Sequence, residues 1–375
     1  MFRLFTPGTV APDRVFLTQL SYASRMEISE VQVDGYEQVV RCRDEESGLH
    51  ALIAVHDTTL GPALGGMRML PYADEEEALF DVLRLSRGMT YKSAVAETGL
   101  GGGKSVILGN PEEKSESLFL AMGRFVDSLG GKYITAEDMN IGIPDLETVK
   151  RETRWVTGLS RDAGSSGNPS PYTAIGCLVG LRAVCEELDG STDLEGKHVL
   201  VQGIGAVGGR LCELLKEQGA KVSVCDIRED YAAQLAEENG YTKVAHDGHH
   251  KVACDIYAPC ATGAGINDET IPELACRAVA GCANNQLLEF RHADVLRERG
   301  ILYAPDYVIN AGGIINVSVE LLPGGYDESE ALRRIDRIYD NLRRVFEISR
   351  SEEISTRDAA ARLAERRLAE AREPA

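Results

Sequence analysis

The chain has 375 residues, 43% hydrophobic and 26% charged, with a formal net charge of −19 at pH 7. That length exceeds one ordinary core and predicts two domains, and the composition excludes a disordered or fibrous protein. The acidic surplus argues against nucleic acid or an anionic membrane as a partner, because either polyanion would be repelled, whereas a small zwitterion is indifferent to it.

Taken in chain order, residues 1–10 lack a basic stretch followed by an apolar run, so no signal peptide is expected. No segment approaches the roughly 18 continuous apolar residues of a spanning helix. Residues 36–42, 49–57 and 105–108 read as strands. Between them, residues 74–87 carry Ala78, Val82 and Leu85 at helical spacing behind an acidic first turn. Glycine, serine, asparagine and proline crowd residues 164–171, as expected of a hinge or interdomain crossing.

From Tyr172 onward, helix and strand alternate. Residues 174–188 and 206–218 read as helices, and 198–202 and 221–226 as strands, with further short apolar runs at 256–258, 278–282 and 301–304. Such alternation implies a parallel sheet covered on both faces. Residues 327–372 are charged and helical, with a cap signal at Ser355 and Asp358, and read as an amphipathic helix pair packing back across the domains. The nine cysteines contain no Cys-x-x-Cys pair and are read as reduced, buried thiols of a cytoplasmic protein, not as a disulfide framework or zinc site. His246, His249 and His250 read as a polar turn, and no metal site is expected.

Gly203-Ile204-Gly205-Ala206-Val207-Gly208 follows a short strand and opens a helix. In that setting the first glycine permits a tight turn, the second admits a pyrophosphate, and the third lets helix and strand pack closely. Asp226 ends the next strand, at the distance expected of a carboxylate that binds ribose hydroxyls and repels a 2′-phosphate. The pattern points to NAD over NADP, with Ile227 beside it and Arg228 as a complication that could accommodate the phosphate.

Gly101-Gly102-Gly103-Lys104 resembles a phosphate-binding loop in composition only, because Lys104-Ser105 opens a strand where such a loop would open a helix. The glycines are read instead as letting backbone pass close to a bound substrate, with Lys104 aimed into the cleft. Lys92, in Met89-Thr90-Tyr91-Lys92, lies twelve residues earlier. Two lysines in one closed site lower each other's proton affinity, so one can clamp a carboxylate while the other serves as a base near neutrality. Asp138 ends a strand in Tyr133-Ile134-Thr135-Ala136-Glu137-Asp138, where it could shuttle protons or simply cap the next helix.

Taken together, these blocks resemble the leucine dehydrogenase branch of the glutamate/leucine/phenylalanine/valine dehydrogenase superfamily. The resemblance runs from about Gly61 to about Arg367, through Gly61-Pro62-Ala63-Leu64-Gly65-Gly66, the two lysine motifs and Thr135 to Asp138. It continues through Gly164 to Pro171, Tyr257-Ala258-Pro259-Cys260, Ala283-Asn284-Asn285-Gln286 and Ala304 to Gly313. It implies an α/β fold of two domains: an N-terminal substrate-binding and oligomerisation domain (1–160) and a Rossmann-type NAD domain (161–335). Residues 336–375 would be C-terminal helices returning to the substrate domain.

The same resemblance assigns roles. Lys92 would hold the substrate α-carboxylate, Lys104 would activate the water that attacks an imine carbon, and Asp138 would pass protons to the departing nitrogen. Thr173 would orient the nicotinamide carboxamide, Asn285 would face the nicotinamide ribose, and Ala258 and Pro259 would cradle the cofactor. Asn310 would sit near both cofactor and substrate. Leu64, with Gly65 beside it, and Ala136, Ile314 and Val317 would line an aliphatic slot that offers an acidic side chain no partner.

Ile314 is one methylene larger than the valine usual there, a change worth about 1–3 kcal/mol of discrimination. Met67, and Met139-Asn140-Ile141, also depart from the family pattern near the site. The expected activity is NAD-dependent oxidative deamination of a branched-chain L-amino acid, leucine favoured, by a homo-oligomer, octameric in many leucine dehydrogenases. Competing readings are a valine- or phenylalanine-preferring relative, a non-catalytic dinucleotide-binding regulator, and a hydroxy-acid dehydrogenase, for which no histidine is suitably placed.

Overall fold

A computed structural model describes residues 26–373; the segment read for a signal peptide lies outside the described residues. The first half contains β1 (Met26–Glu30), β2 (Gln38–Asp44), β3 (Leu49–Asp57), β4 (Ala63–Leu70), α1 (Glu75–Ala96), β5 (Gly101–Leu108), α2 (Glu116–Asp127), β6 (Tyr133–Ala136) and α3 (Ile143–Lys150). Its six strands form one mixed sheet in the order β1-β2-β3-β5-β4-β6. β1, β2, β3 and β5 pair antiparallel, while β4 runs parallel to both β5 and β6.

Helix α4 (Ser170–Asp189) leads into β7 (His198–Gln202), α5 (Ala206–Glu217), β8 (Lys221–Cys225), α6 (Glu229–Asn239), β9 (Thr242–Lys243), β10 (Cys254–Pro259) and β11 (Cys276–Val279). Then come α7 (His292–Glu298), β12 (Leu302–Tyr303), α8 (Asp306–Ile309), α9 (Gly312–Val319), α10 (Glu328–Ile335), α11 (Arg337–Glu352) and α12 (Thr356–Arg372). The second sheet is wholly parallel, ordered β12-β11-β10-β7-β8-β9, so the chain reverses direction across the sheet between β7 and β10. Ligands of doubly wound sheets bind outside the strand ends at that reversal.

Four expectations need correction. The helix read as 74–87 continues to Ala96. Its buried stripe passes from Ala78 and Val82 to Ser86, Thr90 and Ser93; the Ser86 and Thr90 hydroxyls donate to the Leu83 and Ser86 carbonyls at 2.9 and 3.4 Å and that of Ser93 to the Gly101 carbonyl at 3.4 Å, so apolar periodicity fades while the helix persists. The strand read from Ser105 begins at Gly101, so the glycine triplet is strand interior.

Those glycines meet protein instead of leaving room for substrate. A Cβ on Gly101 would lie 2.2 Å from the Asp57 carbonyl oxygen, one on Gly102 2.1 Å from the Thr90 amide nitrogen, and one on Gly103 2.7 Å from the Tyr133 ring. Their absence lets α1 and the neighbouring strands close onto β5 around Lys104. Finally, the tail forms three helices, not two.

The last of them, α12, docks on α1. Helix α1 has no basic residue in its final turn, and Arg367 of α12 supplies one, donating to the Ala94 and Val95 carbonyls at 3.1 and 2.6 Å. The nine cysteines are free thiols, seven buried and Cys254 and Cys260 partly so. Among the described residues, no helix is long and apolar enough to cross a membrane.

Candidate active site

Lys104, the fourth residue of β5, is only 3% exposed, and its ammonium pairs with Asp138 Oδ2. Asp138 stands two residues beyond β6, in register with β4 through Ala136 opposite Gly66. A Cβ on Gly66 would fall 2.7 Å from the Asp138 Cβ, so this glycine makes the space the aspartate occupies. Asp138 Oδ1 accepts from Arg68 Nε at 2.9 Å and from the Met139 amide at 2.5 Å. Burial alone would raise the Asp138 carboxyl, but Lys104 and Arg68 outweigh it and hold the group at about 2. At Lys104 burial dominates and lowers proton affinity, with Asp138 opposing.

Sequence reasoning missed Arg68. It lies on a strand that is otherwise apolar or glycine, and a charge there needs partners. That mismatch was the available signal. The second partner is Asp81 on α1, at 3.1 Å, which also accepts from Tyr72.

Lys92 comes near the end of α1, its Nζ donating to Asn310 Oδ1 at 2.7 Å. Asn310 follows α8 and is 4% exposed, and its amide nitrogen donates to Asn284 Oδ1 and the Cys282 carbonyl at 2.8 and 3.2 Å. Those bonds orient its carbonyl toward the lysine. Burial brings Lys92 down to about 8, with Asp306 raising it and Lys104 lowering it further.

Beside these groups lies an apolar cluster of Leu64, Leu100, Ile134 and Val317, with Ile314 and Trp155 partly buried against it. Leu64 pairs in register with Gly102 and Ile134, while Ile314 and Val317 come from α9. Residues carried by both halves of the chain therefore meet in one apolar cluster. Leu100, Ile134 and Trp155 were not singled out from sequence, because nothing local marks them as more than core. Gly65, by contrast, packs on the strand itself: its Cβ would lie 1.7 Å from the Gly103 carbonyl oxygen.

The turn from β7 into α5 suits a dinucleotide. Gly203 has φ +87, which favours glycine; a Cβ on Gly208 would lie 2.0 Å from the Gly203 carbonyl, and above Gly205 there is open space. No side chain caps α5, so the amides of its first turn, at Ala206, Val207 and Gly208, remain available to a phosphate. A cavity of about 430 Å³ adjoins the turn between Gly205, Arg210, Arg228 and Tyr231.

Asp226 immediately follows β8 and is 6% exposed. It accepts from the Ile204 amide and from Arg228, whose Nε and Nη2 lie 2.9 and 3.1 Å from its two oxygens. Arg228 thereby holds the carboxyl well below the usual range. Ile227 projects 78% exposed beside it.

Thr173 sits in the first turn of α4 against Gly313 of α9, Ala258 and Pro259 end β10, and Asn285 has φ +51 in an exposed loop. Ala258 and Pro259 stand at the reversal of the parallel sheet, and the loop that carries Asn285 is tied to them by the Ala283 amide, which donates to the Pro259 carbonyl at 2.8 Å.

The chain is similar to known proteins over most of its length. Residues 36–160 match the model of the Glu/Leu/Phe/Val dehydrogenase dimerisation domain, and residues 164–241 and 223–374 match that of Glutamate/Leucine/Phenylalanine/Valine dehydrogenase. The leucine dehydrogenase of Geobacillus stearothermophilus is 54% identical over 89% of this chain and 90% of its own. The valine dehydrogenase of Streptomyces albus is 47% identical over 90% and 93%. The crystal structure of L-tryptophan dehydrogenase from Nostoc punctiforme superposes with a TM-score of 0.81 at 45% identity, covering 90% of this chain and 97% of that one.

Proposed function

The chain belongs to the glutamate/leucine/phenylalanine/valine dehydrogenase family and is an amino-acid dehydrogenase, and from that premise we propose that it oxidatively deaminates a branched-chain L-amino acid, leucine first, using NAD. The observation that carries this reading is the Lys104–Asp138 pair set beside a cluster of six apolar residues, which we read as the side-chain slot. An aliphatic side chain fits that slot, whereas a carboxylate would be buried without a partner there. Relatives acting on leucine and valine support the choice, and the larger Ile314 favours valine as the second reading.

Lys92 holds the substrate carboxylate in place of its bond to Asn310. The dinucleotide, with its pyrophosphate at the glycine turn, would supply the hydride acceptor. Unprotonated Lys104 takes a proton from the water that adds to the imine carbon of the oxidised substrate. Asp138, an anion at working pH, accepts a proton and passes it to nitrogen as ammonia leaves. Thr173, Asn285, Ala258 and Pro259 line the cofactor's nicotinamide half, and Asp226 with Ile227 receives the adenosine half.

Residues 1–160 would then form the substrate and oligomerisation domain, 161–335 the NAD domain, and 336–375 the helices returning to the first. Closure across residues 164–171 would exclude water. A homo-oligomer, octameric by analogy with leucine dehydrogenases, and a cytoplasmic location consistent with nine free thiols complete the proposal.

Initial rates of NADH formation with leucine, valine, isoleucine, phenylalanine and tryptophan test the reading. Leucine should give the highest kcat/KM; an aromatic preference would overturn the aliphatic slot.

A further inference from the structure

Arg68 is the one cation in β4, a strand that is otherwise apolar or glycine, and its guanidinium is nearly buried, with 14% of the side chain exposed. It reaches two carboxylates on different elements. Nε donates to Asp138 Oδ1 at 2.9 Å, and Nη1 donates to Asp81 Oδ2 at 3.1 Å. Asp81 is itself fixed by the Tyr72 hydroxyl at 2.8 Å and by Arg84 at 2.6 Å. The guanidinium therefore cannot follow Asp138 if that side chain turns; Asp138 must follow it.

We propose that Arg68 is a positioning residue for the reaction: anchored on Asp81, it occupies Oδ1 of Asp138 and so leaves Oδ2 as the oxygen offered to Lys104 and the substrate nitrogen. The proposal rests on the roles assigned above to Lys104 and Asp138. Two oxygens on a freely rotating carboxylate would exchange places; one oxygen held by both Arg68 and the Met139 amide cannot.

A second consequence is electrostatic. Several charges converge here: Arg68 from β4, Asp81, Arg84 and Lys92 from α1, Lys104 from β5, Glu137 and Asp138 after β6, and Asp306 at the start of α8. Asp138 favours the protonated form of Lys104, and Arg68 disfavours it. Fixed positive charge in this poorly hydrated setting eases proton loss from the base while keeping Asp138 an anion. Without Arg68, the Lys104–Asp138 pair would lock as a stable ion pair, and the base would be freed only at higher pH.

The experiment compares wild type, Arg68→Met and Arg68→Lys, following NADH formation with leucine and NAD from about pH 7 to about pH 10. For Arg68→Met, kcat near pH 7 should fall roughly 10- to 100-fold. It should recover only in part as pH rises, so that the acid limb moves to higher pH while the plateau stays below that of wild type. Arg68→Lys, which keeps the charge but not the fork, should return the limb toward its wild-type position with kcat still reduced. An Arg68→Met profile that superimposes on wild type after scaling would overturn the proposal. If Arg68→Met does not fold, Asp81→Asn removes the anchor while leaving Arg68, Lys104 and Asp138 in place; it should lower kcat with NADH binding retained, and wild-type kcat would overturn the proposal. Wild-type protein inactive with every amino acid would instead sink the dehydrogenase reading itself.

Discussion

The Lys92 ammonium donates a 2.7 Å hydrogen bond to the Asn310 side-chain carbonyl, tying the end of α1 to the residue that closes α8. The two residues are 218 positions apart and belong to the structures built on different sheets. A substrate carboxylate arriving between them would compete for the same ammonium. Replacing Lys92 with methionine should therefore raise KM for the amino acid by at least roughly tenfold while NADH binding persists. Unchanged KM would show that the carboxylate is held elsewhere.

Asp226 offers a second test. Its oxygens are engaged by Arg228 and the Ile204 amide, so a bound ribose must share or displace the arginine. Asp226→Ser should narrow the preference for NAD over NADP, read as the ratio of kcat/KM values, because the charge that repels a 2′-phosphate is gone while Arg228 remains. An unchanged ratio would contradict the ribose contact.

The glycine triplet gives a stability prediction with an internal control. Gly102→Ala forces a Cβ to within 2.1 Å of the Thr90 amide nitrogen and should destabilise the protein by about 3 kcal/mol. Gly88→Ala, on the open face of α1 where a Cβ meets nothing within 4 Å, should stabilise it by about 0.5–1 kcal/mol. Urea unfolding midpoints would separate the two. Equal effects would mean that β5 and α1 are not packed as described.

What could be read from the chain was whatever local order encodes. The turn from Gly203 to Gly208, the strand before it and the helix it opens are contiguous, so their geometry follows from one short stretch of chain. Lys104 was legible as a chemical group but not as strand interior, since glycines carry no strand preference and only the later contacts with Asp57, Thr90 and Tyr133 explain them. Arg68 stood out only as a lone charge among apolar residues and glycines, and its role could not be read because its partner Asp138 lies 70 residues away. The slot residues Leu100, Ile134 and Trp155 share that difficulty: each is an ordinary core residue until α9 packs opposite.

The account as a whole turns on Lys104 serving as a base in a secluded site. Burial lowers its proton affinity, so the working, unprotonated form is lost as pH falls and gained as pH rises. Purified protein given NAD and leucine should release NADH and ammonia in equal amounts, with a rate that climbs from neutral into mildly alkaline pH, and Lys104→Ala should abolish both products while still binding NADH. Near-normal turnover by Lys104→Ala, or no product from the wild type anywhere in that pH series, would contradict it.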